Sequence, residues 1–144
     1  MPEQPGYSGT PLPKKLGLKD GQRALFVGLP DHLSSLRQSA NFASCREDRV
    51  SAATYPERDL DCVLVFVTAA QALTDALAAL RPAIQLNGMI WVAWPKKSSK
   101  ILTDVTEDVI RAMALERGLV DVKVCAVDGT WSGLKLVIPK SLRI

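Results

Sequence analysis

Asp61-Cys62-Val63-Leu64-Val65-Phe66-Val67 is the stretch that decides the fold. After Asp61 it has no polar alternation and is rich in β-branched side chains. It therefore reads as a strand buried on both faces, the kind found inside a parallel sheet. Two further runs repeat the pattern. Arg23-Ala24-Leu25-Phe26-Val27-Gly28 follows an Asp20-Gly21 turn, and Met89-Ile90-Trp91-Val92-Ala93-Trp94 is opened by Asn87-Gly88 and closed by Pro95. Helical signals lie between and after these strands. Thr68-Ala69-Ala70-Gln71 has capping-box spacing, with Leu73, Leu77 and Leu80 on one face until Pro82 stops the helix. Asp104 with Glu107 is a second cap signature, with Val105, Val109, Ala112 and Met113 as the expected buried stripe and Gly118 at the C-terminal cap.

A short helix is expected over residues 31–39, capped by Asp31, with Leu33 and Leu36 inward. Residues 42–59 offer one short strand near 44–49 and then a loop around Tyr55-Pro56. Residues 120–127 and 134–138 read as two strands of a hairpin. Alternating strands and helices with doubly apolar strands call for a small Rossmann-like α/β fold. Its sheet is mostly parallel with helices on both faces, finished by a C-terminal antiparallel hairpin. Pro2, Pro5, Gly6, Gly9, Pro11 and Pro13 make residues 1–17 an extended arm, leaving 18–144 as one domain.

Composition narrows the function classes. With 47% hydrophobic residues in 144, the chain can fill a core, which excludes disorder and collagen. Eighteen Lys and Arg against fifteen Asp and Glu give a net charge of +3, with the lysines in separate short clusters and no recognition helix, so nucleic acid is disfavoured. No apolar run approaches the roughly 18 residues of a membrane span, and residues 1–19 hold Pro, Gly and Lys where a signal peptide would be apolar, so a cytoplasmic location is expected. Three widely spaced cysteines suit neither a disulfide framework nor a zinc site; Cys62 and Cys125 read as core residues, and Cys45 as the exposed thiol.

The succession from Leu18-Lys19-Asp20-Gly21 through Gly28, the Asp-led strand at Asp61, Leu86-Asn87-Gly88-Met89-Ile90-Trp91 and the terminal hairpin resembles class I S-adenosylmethionine-dependent methyltransferases. In that family the first strand enters a Gly-x-Gly-x-Gly loop. Here Gly28 is followed by Leu29, Pro30, Asp31 and His32, and Pro30 removes an amide donor and fixes φ. About thirty residues separate Gly28 from Asp61, too few for the helix-strand-helix-strand passage that supplies the family's acidic ribose ligand, so Glu47 and Asp48 are its stand-ins. The resemblance therefore implies the architecture with an altered cofactor loop.

A second resemblance covers nearly the whole chain. Gly6-Tyr7-Ser8-Gly9-Thr10-Pro11-Leu12, Lys14-Lys15-Leu16-Gly17, Trp94-Pro95-Lys96-Lys97, the run from Gly118 to Cys125 and Trp131-Ser132-Gly133-Leu134 are similar to a family of short bacterial proteins catalogued as a domain of unknown function. It implies bacterial origin and carries no established activity.

Open parallel sheets bind ligands outside the carboxyl ends of their strands. Gly28, Pro30 and His32 after the first strand, Thr68 after the second, Trp94, Lys96 and Lys97 after the third, and Asp104 at the next helix start are the expected ligand-binding residues. A cationic edge with an aromatic wall suits an anionic or nucleotide-like small molecule. Tyr7, Ser8 and Thr10 of the arm are the expected lid. His32 is the only histidine, and Ser8 and Ser132 lack the strand-to-helix setting of a nucleophile elbow, so no catalytic set is assigned. Metal ligands at coordinating spacing are lacking beyond Glu47-Asp48, and neither a metal nor a cofactor is assigned. The expectation is a non-catalytic small-ligand binding domain. The alternatives are a transferase with an altered cofactor loop and a protein-protein interaction module acting through the hairpin or the arm.

Overall fold

The computed structural model describes residues 10–143. Among the described residues six strands form one sheet in the order β2-β1-β3-β4-β6-β5: β1 (Arg23–Val27), β2 (Ser44–Asp48), β3 (Leu60–Phe66), β4 (Ile84–Pro95), β5 (Val120–Ala126) and β6 (Trp131–Val137). The first four in that order are parallel neighbours, and the β4-β6 and β6-β5 pairs are antiparallel. This is the Rossmann-like α/β arrangement expected, hairpin included.

Strand alternation divides the core into two layers. Val63, Val65 and Val67 of the β3 run, with Ile90, Val92 and Trp94 of β4, face α2 (Ala70–Leu80) and α3 (Glu107–Glu116). Cys62, Leu64 and Phe66, with Met89, Trp91 and Ala93, face α1 (Leu12–Leu16) and the 3-10 helix Asp31–Gln38. Trp91 is 1% exposed, and its indole N–H donates to the Leu16 carbonyl at 2.9 Å, so the largest core side chain keeps its polar atom satisfied.

α1 corrects the extended reading of residues 12–16. Pro13 stands in the first helical turn, where a missing N–H costs nothing, and Gly17 closes the helix at φ 73°. Leu16 anchors it in the core, and the Lys15 ammonium donates to the Ala126 carbonyl at 2.9 Å. Of the expected lid, Thr10 is half-buried, while Tyr7 and Ser8 lie outside the described residues.

Other departures are local. The short helix expected over 31–39 is a 3-10 helix, Asp31–Gln38, and Asp31 does not cap it. Leu33 and Leu36 are three apart, so three residues per turn align them on the core. α2 has no capping box: its N-cap is Ala69, and Gln71 turns outward to Asp75 at 3.0 Å. α3 is capped by Thr106, which accepts the Val109 amide at 3.2 Å, rather than by Asp104. Starting there, α3 buries Ile110 and Ala114 and leaves Ala112 exposed. β4 is longer than expected because Ile84 already pairs with Leu60 before the ladder slips around Asn87-Gly88. At the free edge of β5, the register slips between Asp121 and Lys123 and a lysine stands between exposed Val122 and Val124, features that discourage pairing with another strand. Among the described residues no helix is long and apolar enough to cross a membrane.

Candidate functional site

The chain leaves β1 for β2 on one side and returns to β3 on the other, so the strand order reverses at β1, where the loops after the strands diverge. A recess of about 570 Å³ opens there. It is lined by Gly28, Leu29, Pro30 and Asp31 after β1 and by residues 47–50 at the end of β2. Gly28 has φ 67°, its amide donates to the Asp48 carbonyl at 2.8 Å, and a Cβ there would stand 3.1 Å from the Phe66 carbonyl oxygen. Only glycine lets β2 and the end of β3 approach this closely. Leu29, the residue after Gly28, is 8% exposed with its side chain in the α1-side core.

The β2 carboxylates are tied into a network. Glu47 pairs with Arg37 at 3.1 Å. Asp48 accepts from Arg46 at 3.1 Å and from the Tyr55 hydroxyl at 2.8 Å, and the same hydroxyl accepts the Ala52 amide. Burial, supported by the hydrogen bond to Asp48, raises the Tyr55 pKa, so Tyr55 stays a donor. With Arg49 balancing Asp31, the recess has no surplus of positive charge. Exposed Val50 adds an apolar lip.

The remaining expected residues are distributed around this edge. Gly28 and Pro30 line the recess. His32 turns away to Asp128 of the β5-β6 turn, with its Nε2 2.7 Å from Oδ2. Asp128 Oδ1 also accepts the Thr130 and Trp131 amides, each at 2.8 Å. Burial alone would raise the Asp128 pKa, but His32 and these two amides outweigh it and hold the carboxyl below its ordinary value. Thr68 and Asp104 belong to one lock: the Thr103 hydroxyl donates to the Thr68 carbonyl at 2.6 Å, and Asp104 Oδ1 accepts the Ala70 amide at 2.7 Å. The anion at the start of α2 is thus a carboxylate of the chain itself. Trp94 is packed in the α2-side core. Lys96 and Lys97 follow β4 and do not line the recess.

Residues 47–50 and Asp31 carry more of the recess than the lysines do. Their signal was weak because β2 is exposed along most of its length and lacks the apolar run that marks the other strands. Among the cysteines, Cys62 is buried and Cys45 exposed, as expected, and Cys125 is half-buried. Burial, aided by Asp61, pushes the Cys62 thiol up to about 12, which removes it as a nucleophile.

Comparison with known proteins bears on the family and the fold. The profile of a family described as "Protein of unknown function (DUF3052)" matches residues 14–140. No curated protein matches in sequence. Solved structures match in fold. A SAM dependent methyltransferase from Aquifex aeolicus aligns with TM-score 0.63 and 16% identity over 88% of this chain and 87% of that one. The magnesium protoporphyrin IX methyltransferase of Synechocystis PCC 6803, with bound SAH, aligns with TM-score 0.58 and 10% identity over 83% and 75%. The ribosomal protein L11 methylase of Lactobacillus delbrueckii subsp. bulgaricus gives 0.56 and 11% over 88% and 74%. At such identities the likeness is one of fold.

Proposed function

The chain belongs to the DUF3052 family, and from that premise we propose that it binds a small nucleoside-like ligand in the recess at the carboxyl ends of β1 and β2, without catalysing a transfer. The observation that carries this reading is the juxtaposition of Gly28 with the β2-end residues Glu47 and Asp48 around one cavity of about 570 Å³. Carboxylates fixed by Arg37, Arg46 and Tyr55 are preorganised acceptors for ligand hydroxyls. Because Arg37 and Arg46 are already paired with these carboxylates, and Arg49 is outnumbered in the lining by Asp31, Glu47 and Asp48, a ligand recognised by its hydroxyls suits the recess better than one recognised by negative charge.

The non-catalytic part rests on what stands near the recess. His32 is engaged with Asp128, and among the described residues neither a thiol nor a serine lines the cavity. The transferase alternative draws support from Leu29 and His32, whose side chains turn away and leave the recess open. Calorimetry of the full chain with adenosine, S-adenosylhomocysteine and S-adenosylmethionine separates these readings. Saturable binding of all three, weakened by Glu47→Ala and untouched by Lys96→Ala/Lys97→Ala, is the expected result. S-adenosylmethionine binding alone at a low micromolar Kd, roughly −8 kcal/mol, favours the transferase. Absence of binding by all three would remove the nucleoside reading.

A further inference from the structure

A second cleft, of about 560 Å³, lies at the opposite, amino end of the sheet. The exit from α1, the turn before β1, the irregular start of β4 and the end of β6 surround it. We propose that this cleft is a binding site for a phosphate-bearing small molecule.

Charge is the first observation. The cleft is lined by Lys19, Lys135 and Arg143 together with Asp20 and Asp61. Both carboxylates are engaged: Asp61 Oδ2 accepts the Arg23 amide at 2.8 Å and faces the Arg23 guanidinium at 3.5 Å, and Asp20 accepts the Asn41 amide at 2.8 Å. Among the described residues no carboxylate pairs with Lys19, Lys135 or Arg143. Arg143 spends only its Nε, on the Ile138 carbonyl at 2.7 Å, which orients the guanidinium and leaves its terminal nitrogens to donate. Two ammonium groups and a guanidinium fork supply the donors that a phosphate's oxygens require.

The second observation is a cost in the sheet. Lys135 stands directly opposite Lys123 in the β5-β6 ladder, with Trp91 as its partner on β4. Like charges directly opposite one another destabilise a sheet, and a bound anion beside Lys135 would relieve the repulsion. Shape is the third. Gly17 and Gly21 take φ 73° and 85°, and a Cβ at Gly21 would meet nothing within 4 Å, so the rim is bare backbone next to open space. Met89 gives the cleft an apolar wall, and the volume exceeds what a phosphate group fills, leaving room for the body of the molecule that carries it.

The test is an amide-resolved NMR titration of the full chain with inorganic phosphate, with adenosine 5′-monophosphate and with adenosine. Saturable shifts at Gly21, Gly88 and Lys135, but not at Gly28, are expected from phosphate, with the monophosphate binding at least about tenfold tighter. Lys19→Ala/Lys135→Ala should weaken both by about tenfold or more, while Lys96→Ala/Lys97→Ala titrates like the parent. Lys135→Ala also removes the Lys123 repulsion, so its unfolding midpoint should not fall. Arg143→Gln gives an independent loss should the double variant fold poorly. Adenosine reports on the carboxyl-end recess alone, so failure there leaves this proposal standing. No saturable shift with phosphate or monophosphate, or unchanged titration of both cleft variants, overturns it. Equal affinity for the two ligands would confine the site to phosphate itself and overturn the larger ligand.

Discussion

At the carboxyl end of the sheet, Glu47 and Asp48 have partners from their own chain and Asp104 already occupies the amide at the start of α2. At the amino end, the carboxylates are engaged and the cations Lys19, Lys135 and Arg143 have no carboxylate partner among the described residues. The two openings are nearly equal in volume, about 570 and 560 Å³, so size does not separate them. What separates them is which charges remain uncompensated after folding. A site of paired charges selects by hydrogen-bond geometry, and a site with surplus charge selects by sign.

The largest expected effect tests how the two rims are built. Gly28→Ala places a Cβ 3.1 Å from a backbone oxygen at positive φ, whereas Gly21→Ala keeps a positive φ but meets open space. The first should cost about 2–3 kcal/mol and the second about 1 kcal/mol, read as shifts in denaturant midpoint. Equal costs would mean that the close approach of β2 and β3 at Gly28 is not rigid.

Next in size is the latch that carries His32 away from the recess. Asp128 has a folded pKa below its ordinary 3.8, because the His32 hydrogen bond and the Trp131 and Thr130 amides outweigh burial. A depressed carboxylate adds stability that is fully present above the ordinary 3.8 and is lost as pH falls below it through the lower folded value. Asp128→Ala should lower stability near neutrality by about 1–2 kcal/mol and flatten the fall below about pH 4. An unchanged acid limb in urea titrations would show that the turn is held by other contacts.

Smallest is the internal cap. Asp104→Ala removes the acceptor of the Ala70 amide and should cost about 1 kcal/mol. It also vacates the α2 N-terminus, so thermal shift with sulfate should show a weak stabilisation that the parent lacks at the carboxyl end. Equal sulfate responses in the two proteins would mean that Asp104 does not compete with anions, and the contrast between the two ends would weaken.

Legibility in the sequence followed burial. Val63 to Val67 and Ile90 to Val92 are buried on both faces, and such strands show themselves as unbroken apolar runs. β2 is exposed along most of its length, so Ser44 to Asp48 carried little pattern; Glu47 and Asp48 were legible only through the methyltransferase resemblance, and Arg49 and Val50 not at all. The helix starts were misplaced for another reason. Thr68-x-x-Gln71 and Asp104-x-x-Glu107 both satisfy the local spacing, but Asp104 lies next to Ala70 in space and caps the other helix.

The sequence by itself determined the doubly covered parallel strands, the terminal hairpin and the burial of Trp91, because hydrophobic periodicity is a local property that burial converts directly into structure. Tertiary structure alone decided where each charge finds its partner. Arg37 with Glu47, His32 with Asp128 and Asp104 with Ala70 join residues from 10 to 96 positions apart. Electrostatic pairing depends on distances in space that spacing along the chain does not encode, so the charges left over at each end of the sheet emerge only once the chain has folded.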